Sequence, residues 1–334
     1  MKINDFTKNK IVSGYTYGGK TGEKICILHN NEIWFLKFPQ NLSAQKTNLS
    51  YSTAPISEYL GSQIYKTIGI DTHDTELGIY ANKPVVACKD FNKTNNQFYE
   101  FRGLLNALTS PESLSSAKFG AENEAHSVEL SEIFKRMEDN FIPSVQEQMK
   151  ERFWQMFIVD AFINNQDRNT GNWGYFMNLT GEFVGLAPVY DNGSSFFPKT
   201  RDSAFLMDNF FNSVIYNSAT PFYHEGNKID AITTIRRLPN AFTNKDWNQR
   251  LEKEIIQVVP LLSKNIKIFQ DKISDIPLSF NGVYLLSQSQ KKFYQNFLSK
   301  RLELILEPAL KRIVEIQKSP TINISKPRGN GLER

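Results

Sequence analysis

The sequence is poor in the side chains that build disulfide frameworks and zinc sites. Its 334 residues include two cysteines, Cys26 and Cys88, and four histidines without close ligand spacing. Two cysteines are too few for a disulfide framework or a thiolate zinc centre, and structural zinc sites need four ligands at short spacings. These scarcities exclude a disulfide-stapled domain and argue against a zinc protein.

Long apolar runs and a strong charge of one sign are also missing. No stretch approaches the roughly 20 apolar residues that a membrane helix needs, and the polar first ten residues lack the apolar core of a signal peptide. The formal net charge is only +4, with Lys and Arg scattered among acids, whereas nucleic-acid binders concentrate basic residues in a stripe. The sequence therefore predicts no membrane span, a cytoplasmic location and no nucleic-acid partner.

What is present is the composition of a globular protein with a large core. Hydrophobic residues make up 40% of the chain and charged residues 22%, an ordinary balance for a folded domain. The hydrophobic patterns predict strands at 25–28 and 33–38, joined by a hairpin turn at 29–32, and further strands at 77–80 and 85–88. Between these two pairs they predict a helix that starts at Pro55 and stops at Gly69. Further patterns predict a helix over 145–164, a hairpin over 173–187, an irregular segment over 194–230 and helices over 247–263 and 292–316.

These elements predict an α+β fold of two lobes. A small, β-rich N-lobe would occupy residues 1–88, and a larger, mainly helical C-lobe would occupy residues 89–317. The last residues, 318–334, contain little that a core could bury, and we expect a mobile tail there.

The order of three polar residues in the C-lobe indicates phosphoryl-transfer chemistry. Asp167 is followed five positions later by Asn172, and Asp191-Asn192-Gly193 comes after an intervening hairpin. Protein kinases use this order, with one aspartate beside the attacking hydroxyl and an asparagine and a second aspartate on Mg²⁺. We therefore predict Asp167 as the catalytic residue and Asn172 and Asp191 as metal ligands. Turn geometry alone favours Asp and Asn in polar loops, so the combination of all three carries the prediction.

A lysine at the end of an apolar strand supplies the second part of the pattern. Lys37 closes the sequence Ile33-Trp34-Phe35-Leu36-Lys37, and the following helix carries Glu58. In kinases a strand lysine binds the nucleotide phosphates and pairs with a helix glutamate. The alternative is that Lys37 extends to solvent at a strand edge, with its stem on apolar surface.

A glycine-rich stretch before the first strand occupies the place of a nucleotide-binding loop. Glycines allow backbone N–H groups to approach phosphate oxygens closely, and the predicted contacts are Gly18, Gly19, Lys20 and Thr21. The stretch matches neither G-x-G-x-x-G nor the P-loop pattern. Taken alone, it is equally well explained as a plain turn.

Together these motifs resemble the HipA-like serine/threonine kinases over residues 11–315. The resemblance rests on Trp34 to Pro39, on Asn165-x-Asp167-Arg168-x₃-Asn172 and on Pro188 to Asp191. It implies ATP bound between the lobes, with Lys37 on its phosphates, Mg²⁺ on Asn172 and Asp191, and transfer to Ser or Thr of a protein. It also implies a hinge at 86–91, where the backbones of Lys89 and Phe91 would meet adenine.

The resemblance leaves several points open. Family members often autophosphorylate on serine, but the acceptor cannot be transferred by match. Longer relatives pair with a DNA-binding antitoxin, and a chain that starts almost at the nucleotide loop puts that partner in doubt. The sequence also resembles a compact bacterial member of the family that is a proinflammatory effector, and this resemblance would imply virulence and export into host cells without a signal peptide. A lipid or small-molecule kinase would need the same ATP machinery, and a non-catalytic pseudokinase would lack part of it.

Overall fold

The computed structural model describes five parts of the chain, residues 1–14, 24–43, 51–92, 95–106 and 128–318. The predicted nucleotide-loop residues Gly18, Gly19, Lys20 and Thr21 lie outside the described residues, as does 319–334 of the predicted tail. Those predictions therefore stay predictions.

A six-stranded sheet forms the first lobe, with strand order β1-β5-β6-β4-β3-β2. Its strands are β1 (Asn4–Asp5), β2 (Lys10–Ile11), β3 (Lys24–His29), β4 (Glu32–Lys37), β5 (Thr75–Tyr80) and β6 (Lys83–Lys89). The β3–β4 turn holds Asn30 at a φ of 50° and Asn31 at 62°. A two-residue hairpin turn of type I′ needs positive φ at both positions, which asparagine tolerates. The hairpin predicted between the two strands is confirmed.

The first helix, α1 (Ala54–Thr67), covers one face of this sheet. Successive residues of a strand point to opposite faces, and β6 follows that rule: Val86 and Cys88 join the main core with α1, whereas Val85 and Ala87 join a separate small core on the other face. The helix carries Pro55 in its first turn, where the missing N–H of proline costs nothing. The main core therefore starts in the first lobe and continues into the second.

The second lobe is mainly helical and is built around one long, buried helix. Its elements, in chain order, are β7 (Asn96–Glu100), α2 (Phe101–Asn106), β8 (Val128–Glu129), α3 (Leu130–Asn140), α4 (Pro143–Ile163), β9 (Gly174–Asn178), β10 (Phe183–Leu186), a 3₁₀ turn (Asp202–Leu206), α5 (Asp208–Ile215), β11 (Ala219–His224), β12 (Asn227–Asp230), α6 (Ala231–Arg237), α7 (Lys245–Asp275), β13 (Ser279–Phe280), β14 (Val283–Tyr284), α8 (Gln288–Arg301), a π-helical turn (Leu302–Leu306) and α9 (Glu307–Lys318). Every residue of α4 from Met156 to Ile163 is buried. The predicted α+β architecture is confirmed.

One predicted segment is wrong. Residues 194–230 were expected to be irregular, but they form the 3₁₀ turn, α5 and the β11–β12 hairpin. These elements are too short for their hydrophobic periodicity to stand out, and they gain their stability from tertiary packing: the ring of Phe222 on β11 lies 5.2 Å from that of Phe153 on α4. Short elements of this kind depend on a core that the local sequence does not show.

The two lobes are joined beside the segment that carries Asp191. Thr72, just before β5, forms a parallel bridge with Val189. The Thr72 hydroxyl and the His73 backbone N–H both donate to the Val189 carbonyl, at 2.7 and 3.1 Å. The chain between α1 and β5 is thereby fixed to the segment around Asp191, Asn192 and Gly193, the predicted metal loop. No helix of the described part of the chain combines the length and apolar character of a membrane span.

Candidate active site

The structure brings Lys37, Glu58 and Asp191 together from three separate segments. The Lys37 Nζ lies 3.1 Å from Glu58 Oε2 and 2.9 Å from Asp191 Oδ1. Lys37 ends β4, Glu58 lies in the second turn of α1, and Asp191 follows the β9–β10 hairpin. The alternative of a solvent-extended lysine is therefore wrong, because the Lys37 side chain is only 18% exposed and holds two carboxylates.

The two carboxylates determine the charge state of this cluster. Burial alone would lower the pKa of Lys37, but the nearby Asp191 and Glu58 carboxylates outweigh it and hold that pKa well above its ordinary value. Burial would likewise raise the pKa of Glu58, yet Lys37 and the His73 side chain hold it well below the usual range. The cluster therefore contains a charged ammonium and a charged glutamate at neutral pH.

Asp191 itself has a left-handed backbone conformation at the point where its side chain meets Lys37. Asp191 has a φ of 59°, a conformation that aspartate and asparagine adopt more readily than other non-glycine residues. The next residue, Asn192, is fully buried, and its Nδ2 donates to the Ser62 hydroxyl of α1 at 3.1 Å. A side chain at Gly61 would bring its Cβ to 2.6 Å from the Asn192 Cβ. The metal loop therefore packs directly against α1, and glycine permits that approach.

The loop between α4 and β9, residues 164–173, is the predicted catalytic loop, and it exposes Asp167. The Asn169 Nδ2 donates to Asp167 Oδ1 at 2.8 Å, and the Asn172 Nδ2 donates to the Asp167 backbone carbonyl at 2.6 Å. Asp167 is solvent-exposed, whereas Asn169 and Asn172 are buried. This arrangement leaves the Asp167 carboxylate at the surface. It uses the amide nitrogen of Asn172 internally, so that the Asn172 carbonyl oxygen is the atom suited to a cation.

Sequence reasoning included Arg168 in the motif but gave no role to this buried arginine, which joins the two loops. Arg168 is 3% exposed and donates to both carboxylate oxygens of Asp160 on α4, at 2.8 and 3.1 Å. The same guanidinium donates to the backbone carbonyls of Asn172 and Tyr190 and to the amide oxygen of Asn192. Burial would lower the pKa of Arg168, but Asp160 outweighs it and raises that pKa. One side chain thereby fixes the catalytic loop relative to the metal loop.

A second lysine on the same face of the sheet was also missed. Lys24 is the direct cross-strand partner of Lys37, and directly opposed residues of an antiparallel pair share a face. Burial lowers the pKa of Lys24, as does the neighbouring Lys37 ammonium. Lys24 and Lys37 line the same small pocket as His73, Cys88 and Tyr190. The register of the predicted hairpin contained the signal, because counting back from Lys37 across the turn leads to Lys24.

The two predicted hinge residues, Lys89 and Phe91, have different surroundings. The Lys89 backbone N–H donates to the Asp74 carbonyl at 2.9 Å, and its ammonium lies 2.7 Å from Glu32 Oε1. The Phe91 ring packs within about 6 Å of Phe98 and Tyr190. Phe91 therefore stands beside the metal loop, whereas the Lys89 amide is already used within the sheet.

The donor atoms at the site suit a hard cation. Asp191 offers a carboxylate and Asn172 an amide carbonyl, and oxygen ligands of this kind are those that Mg²⁺ prefers. Arg168 holds both segments in place, since it donates to the backbone carbonyl of Asn172 and to that of Tyr190, the residue before Asp191. The residues present therefore fit a magnesium ion that would also contact nucleotide phosphates.

A two-lobed α+β protein with a strand lysine, a helix glutamate and these two loops has the organisation of a protein-kinase-like fold. A sequence profile of the HipA-like C-terminal domain matches residues 16–253. The chain belongs to this HipA-like family, as the sequence motifs predicted.

Two known proteins show how far the similarity extends. The chain is 29% identical to the serine/threonine-protein kinase CtkA of Helicobacter pylori over 321 residues. The aligned residues make up 95% of this chain and 90% of the relative. The crystal structure of the Helicobacter pylori proinflammatory kinase CtkA matches with a TM-score of 0.79 and 26% identity, over 95% of this chain and all of that one. A Shewanella oneidensis HipA complex with HipB and operator DNA matches at a TM-score of 0.51 and 10% identity, over 92% of this chain and 68% of that one. That last likeness concerns the fold alone.

Proposed function

We propose that this protein is an ATP- and Mg²⁺-dependent serine/threonine protein kinase. The observation that carries the proposal is the Lys37 ammonium held between Glu58 and Asp191, at 3.1 and 2.9 Å. Residues that lie 154 positions apart meet there, in the arrangement that nucleotide phosphates need. The relative CtkA, a serine/threonine-protein kinase, supports the same activity.

Each residue has a part in the proposed reaction. A Ser or Thr hydroxyl oxygen forms a bond to the γ-phosphorus of ATP, the bond to the ADP oxygen breaks, and Asp167 accepts the hydroxyl proton. Lys37 binds the phosphates, and Lys24 on the same sheet face adds a second positive charge. Asn172 and Asp191 would hold Mg²⁺, which neutralises phosphate charge when bound.

Two further features belong to the proposal. The nucleotide loop with Gly18, Gly19, Lys20 and Thr21 would cover the phosphates, and the hinge near Phe91 would receive adenine. Autophosphorylation on a hydroxyl residue is expected from the family resemblance. The acceptor is left to peptide mapping.

The test is transfer of label from γ-labelled ATP, with Mg²⁺, to the protein itself and to a generic basic protein. We expect label on Ser or Thr that disappears with Asp167→Asn, with Asp191→Ala and with a metal chelator, and that is strongly reduced with Lys37→Ala. Asp271→Ala is the control, since Asp271 is an exposed acid paired with Lys267 on α7.

The outcomes separate the alternatives. Full labelling by Asp191→Ala or Asp167→Asn would overturn the residue assignments. No labelling by the wild type, with ATP binding still measurable by calorimetry, would point to a lipid or small-molecule acceptor or to a pseudokinase.

A further inference from the structure

A buried histidine stands directly behind the glutamate that holds Lys37. The His73 Nε2 lies 2.9 Å from Glu58 Oε1, and both side chains are at most 3% exposed. The other carboxylate oxygen, Oε2, faces Lys37 at 3.1 Å. The glutamate is therefore held from both sides, by a lysine at the cleft and by a histidine in the core.

The chemistry of the pair determines which atom carries the proton. An ionised carboxylate can only accept hydrogen bonds, so the imidazole tautomer that suits this contact is the one with its hydrogen on Nε2. The Ser62 hydroxyl oxygen lies 3.1 Å from the same Nε2. The His73 Nε2 therefore lies close to polar oxygens of both Glu58 and Ser62, which occupy successive turns of α1.

The contact continues into the metal loop. Ser62 accepts a hydrogen bond from the Asn192 side chain at 3.1 Å, and the Asn192 backbone N–H helps to hold the Glu58 carboxylate in its charged form. His73 itself is fixed by its own backbone, which donates to Val189 two residues before Asp191. His73 therefore contacts α1 through its ring and the metal loop through its main chain.

A metal ion is the other occupant that this cluster suggests. Glu58, His73 and Cys88 offer ligand atoms within 4.8 Å of one another. However, the Lys37 ammonium already neutralises Glu58, and burial raises the pKa of the Cys88 thiol so that it stays protonated. A cation would have to displace one positive charge and remove a proton from a buried thiol, whereas the histidine fits the site as it stands.

We propose that His73 is a positioning residue for phosphoryl transfer, which holds the Glu58 carboxylate in the orientation that presents Lys37 to the nucleotide phosphates. The inference rests on the proposed kinase function, and it adds a third member, from outside both lysine strand and glutamate helix, to the Lys37–Glu58 pair. Without the histidine, the buried Oε1 loses the polar ring nitrogen at 2.9 Å, and the carboxylate is free to turn away from Lys37.

The experiment compares two substitutions at His73. His73→Gln retains an amide N–H near the position of Nε2, whereas His73→Met fills similar space without a donor. We expect His73→Met to lower kcat/KM for ATP by about 10- to 100-fold, the range for loss of a hydrogen bond to a charged group. We expect His73→Gln to stay within about threefold of the wild type, and the KM for the protein acceptor to change in neither variant.

His29 provides the matched control in the same lobe. Its Nε2 lies 3.0 Å from Glu76 Oε2, so His29→Met removes a histidine–carboxylate contact at the opposite end of the β3–β4 hairpin from Lys37. We expect His29→Met to leave kcat/KM for ATP unchanged. A purely structural role for His73 would make the Met and Gln variants alike, or would make His73→Met no worse than His29→Met, and either result would overturn the proposal.

Calorimetric binding of ATP keeps the two proposals separable. If the wild type binds ATP without transferring phosphate, the kinase proposal fails, and the His73 proposal is decided by Kd, with His73→Met weakened and His73→Gln preserved. If the wild type transfers phosphate but the two variants behave alike, only the His73 proposal fails.

Discussion

Replacing Arg168 by methionine tests whether one buried guanidinium joins the catalytic loop to the metal loop. The change keeps a long side chain and removes every donor. Asp160 would lose two of its hydrogen bonds, at 2.8 and 3.1 Å, and would retain Tyr65 at 2.9 Å and Asn165 at 3.1 Å. Three further acceptors, on Asn172, Tyr190 and Asn192, would lose their donor as well.

The size of the effect follows from the burial of the pair. Both side chains are less than a tenth exposed, and removing one partner of a buried ion pair typically costs about 3–5 kcal/mol because the other charge stays buried. The two remaining donors to Asp160 soften that cost, while the three orphaned acceptors add to it. We therefore expect the free energy of unfolding of Arg168→Met to fall by about 3–5 kcal/mol, with phosphoryl transfer lost.

Urea unfolding followed by circular dichroism measures the change. Arg152→Met is the matched control on the same helix as Asp160, since Arg152 makes one hydrogen bond, at 3.3 Å, to the Ala187 carbonyl. We expect that control to cost about 1 kcal/mol, as for an ordinary hydrogen bond. In an Asp160→Asn background, Arg168→Met should cost about 2–3 kcal/mol less than in the wild type, which is the coupling of the pair.

A loss for Arg168→Met no greater than that for Arg152→Met would refute this reasoning. So would independent, additive effects of the Asp160 and Arg168 substitutions. Either result would mean that the loops are held by other contacts.

Two further predictions concern α1. Glu58 has a depressed pKa in the folded state, so its stabilisation of the fold is complete above the ordinary glutamate pKa of about 4.3 and is lost as the pH falls below it. In urea unfolding, the excess stability of the wild type over Glu58→Gln should therefore shrink in acid. A difference that widens in acid would contradict this prediction. Gly61→Ala should lower the free energy of unfolding by about 1–3 kcal/mol through overpacking against Asn192. Gly103→Ala in α2 is the control, because a Cβ there meets nothing within 4 Å, and it should not lower that free energy. Equal effects of the two substitutions would contradict the close packing at Gly61.

The sequence was most informative where a local pattern defines an element. The hairpin of β3 and β4, helix α1 and the long helix α4 have the expected bounds within a few residues, because each has a strong periodicity and a clear turn or stop signal. The three-residue order Asp167, Asn172 and Asp191 was visible for a similar reason. The spacing of loop residues around a hairpin is a local property.

The contacts that hold the site together were not visible in the same way. Arg168 pairs with Asp160 eight positions away, which could be guessed, but its contacts with Tyr190 and Asn192 depend on where the β9–β10 hairpin returns. His73 reaches Glu58 only because the chain after α1 turns back along the metal loop. Such contacts are set by tertiary packing, which overrides local propensity.

Lys24 is an intermediate case. Its role depends on strand register, and register in a hairpin is fixed by the turn. The two-residue turn at Asn30 and Asn31 was recognisable from the sequence, so the pairing of Lys24 with Lys37 could have been counted. A basic residue at the start of a strand looks like an ordinary strand terminus until that count is made.

The polar contacts of α1 lie along one stripe of the helix. Glu58, Ser62 and Tyr65 are spaced i, i+4 and i+7, the positions that share one face. Glu58 meets Lys37, Ser62 meets Asn192 of the metal loop, and Tyr65 donates to Asp160, the partner of Arg168. Because the three contacts reach the lysine strand, the metal loop and the catalytic-loop support respectively, α1 cannot rotate or slide by a turn without breaking all of them.

This stripe has a consequence for how the activity is controlled. A kinase that is switched by moving its glutamate helix needs that helix to be weakly held in one state, whereas here buried, charge-bearing contacts hold α1. Each contact that would have to break leaves a buried polar group without a partner, at a cost of about 1–3 kcal/mol. Within the described residues, α1 therefore joins the lysine strand to both loops, and control by displacement of this helix would be energetically costly.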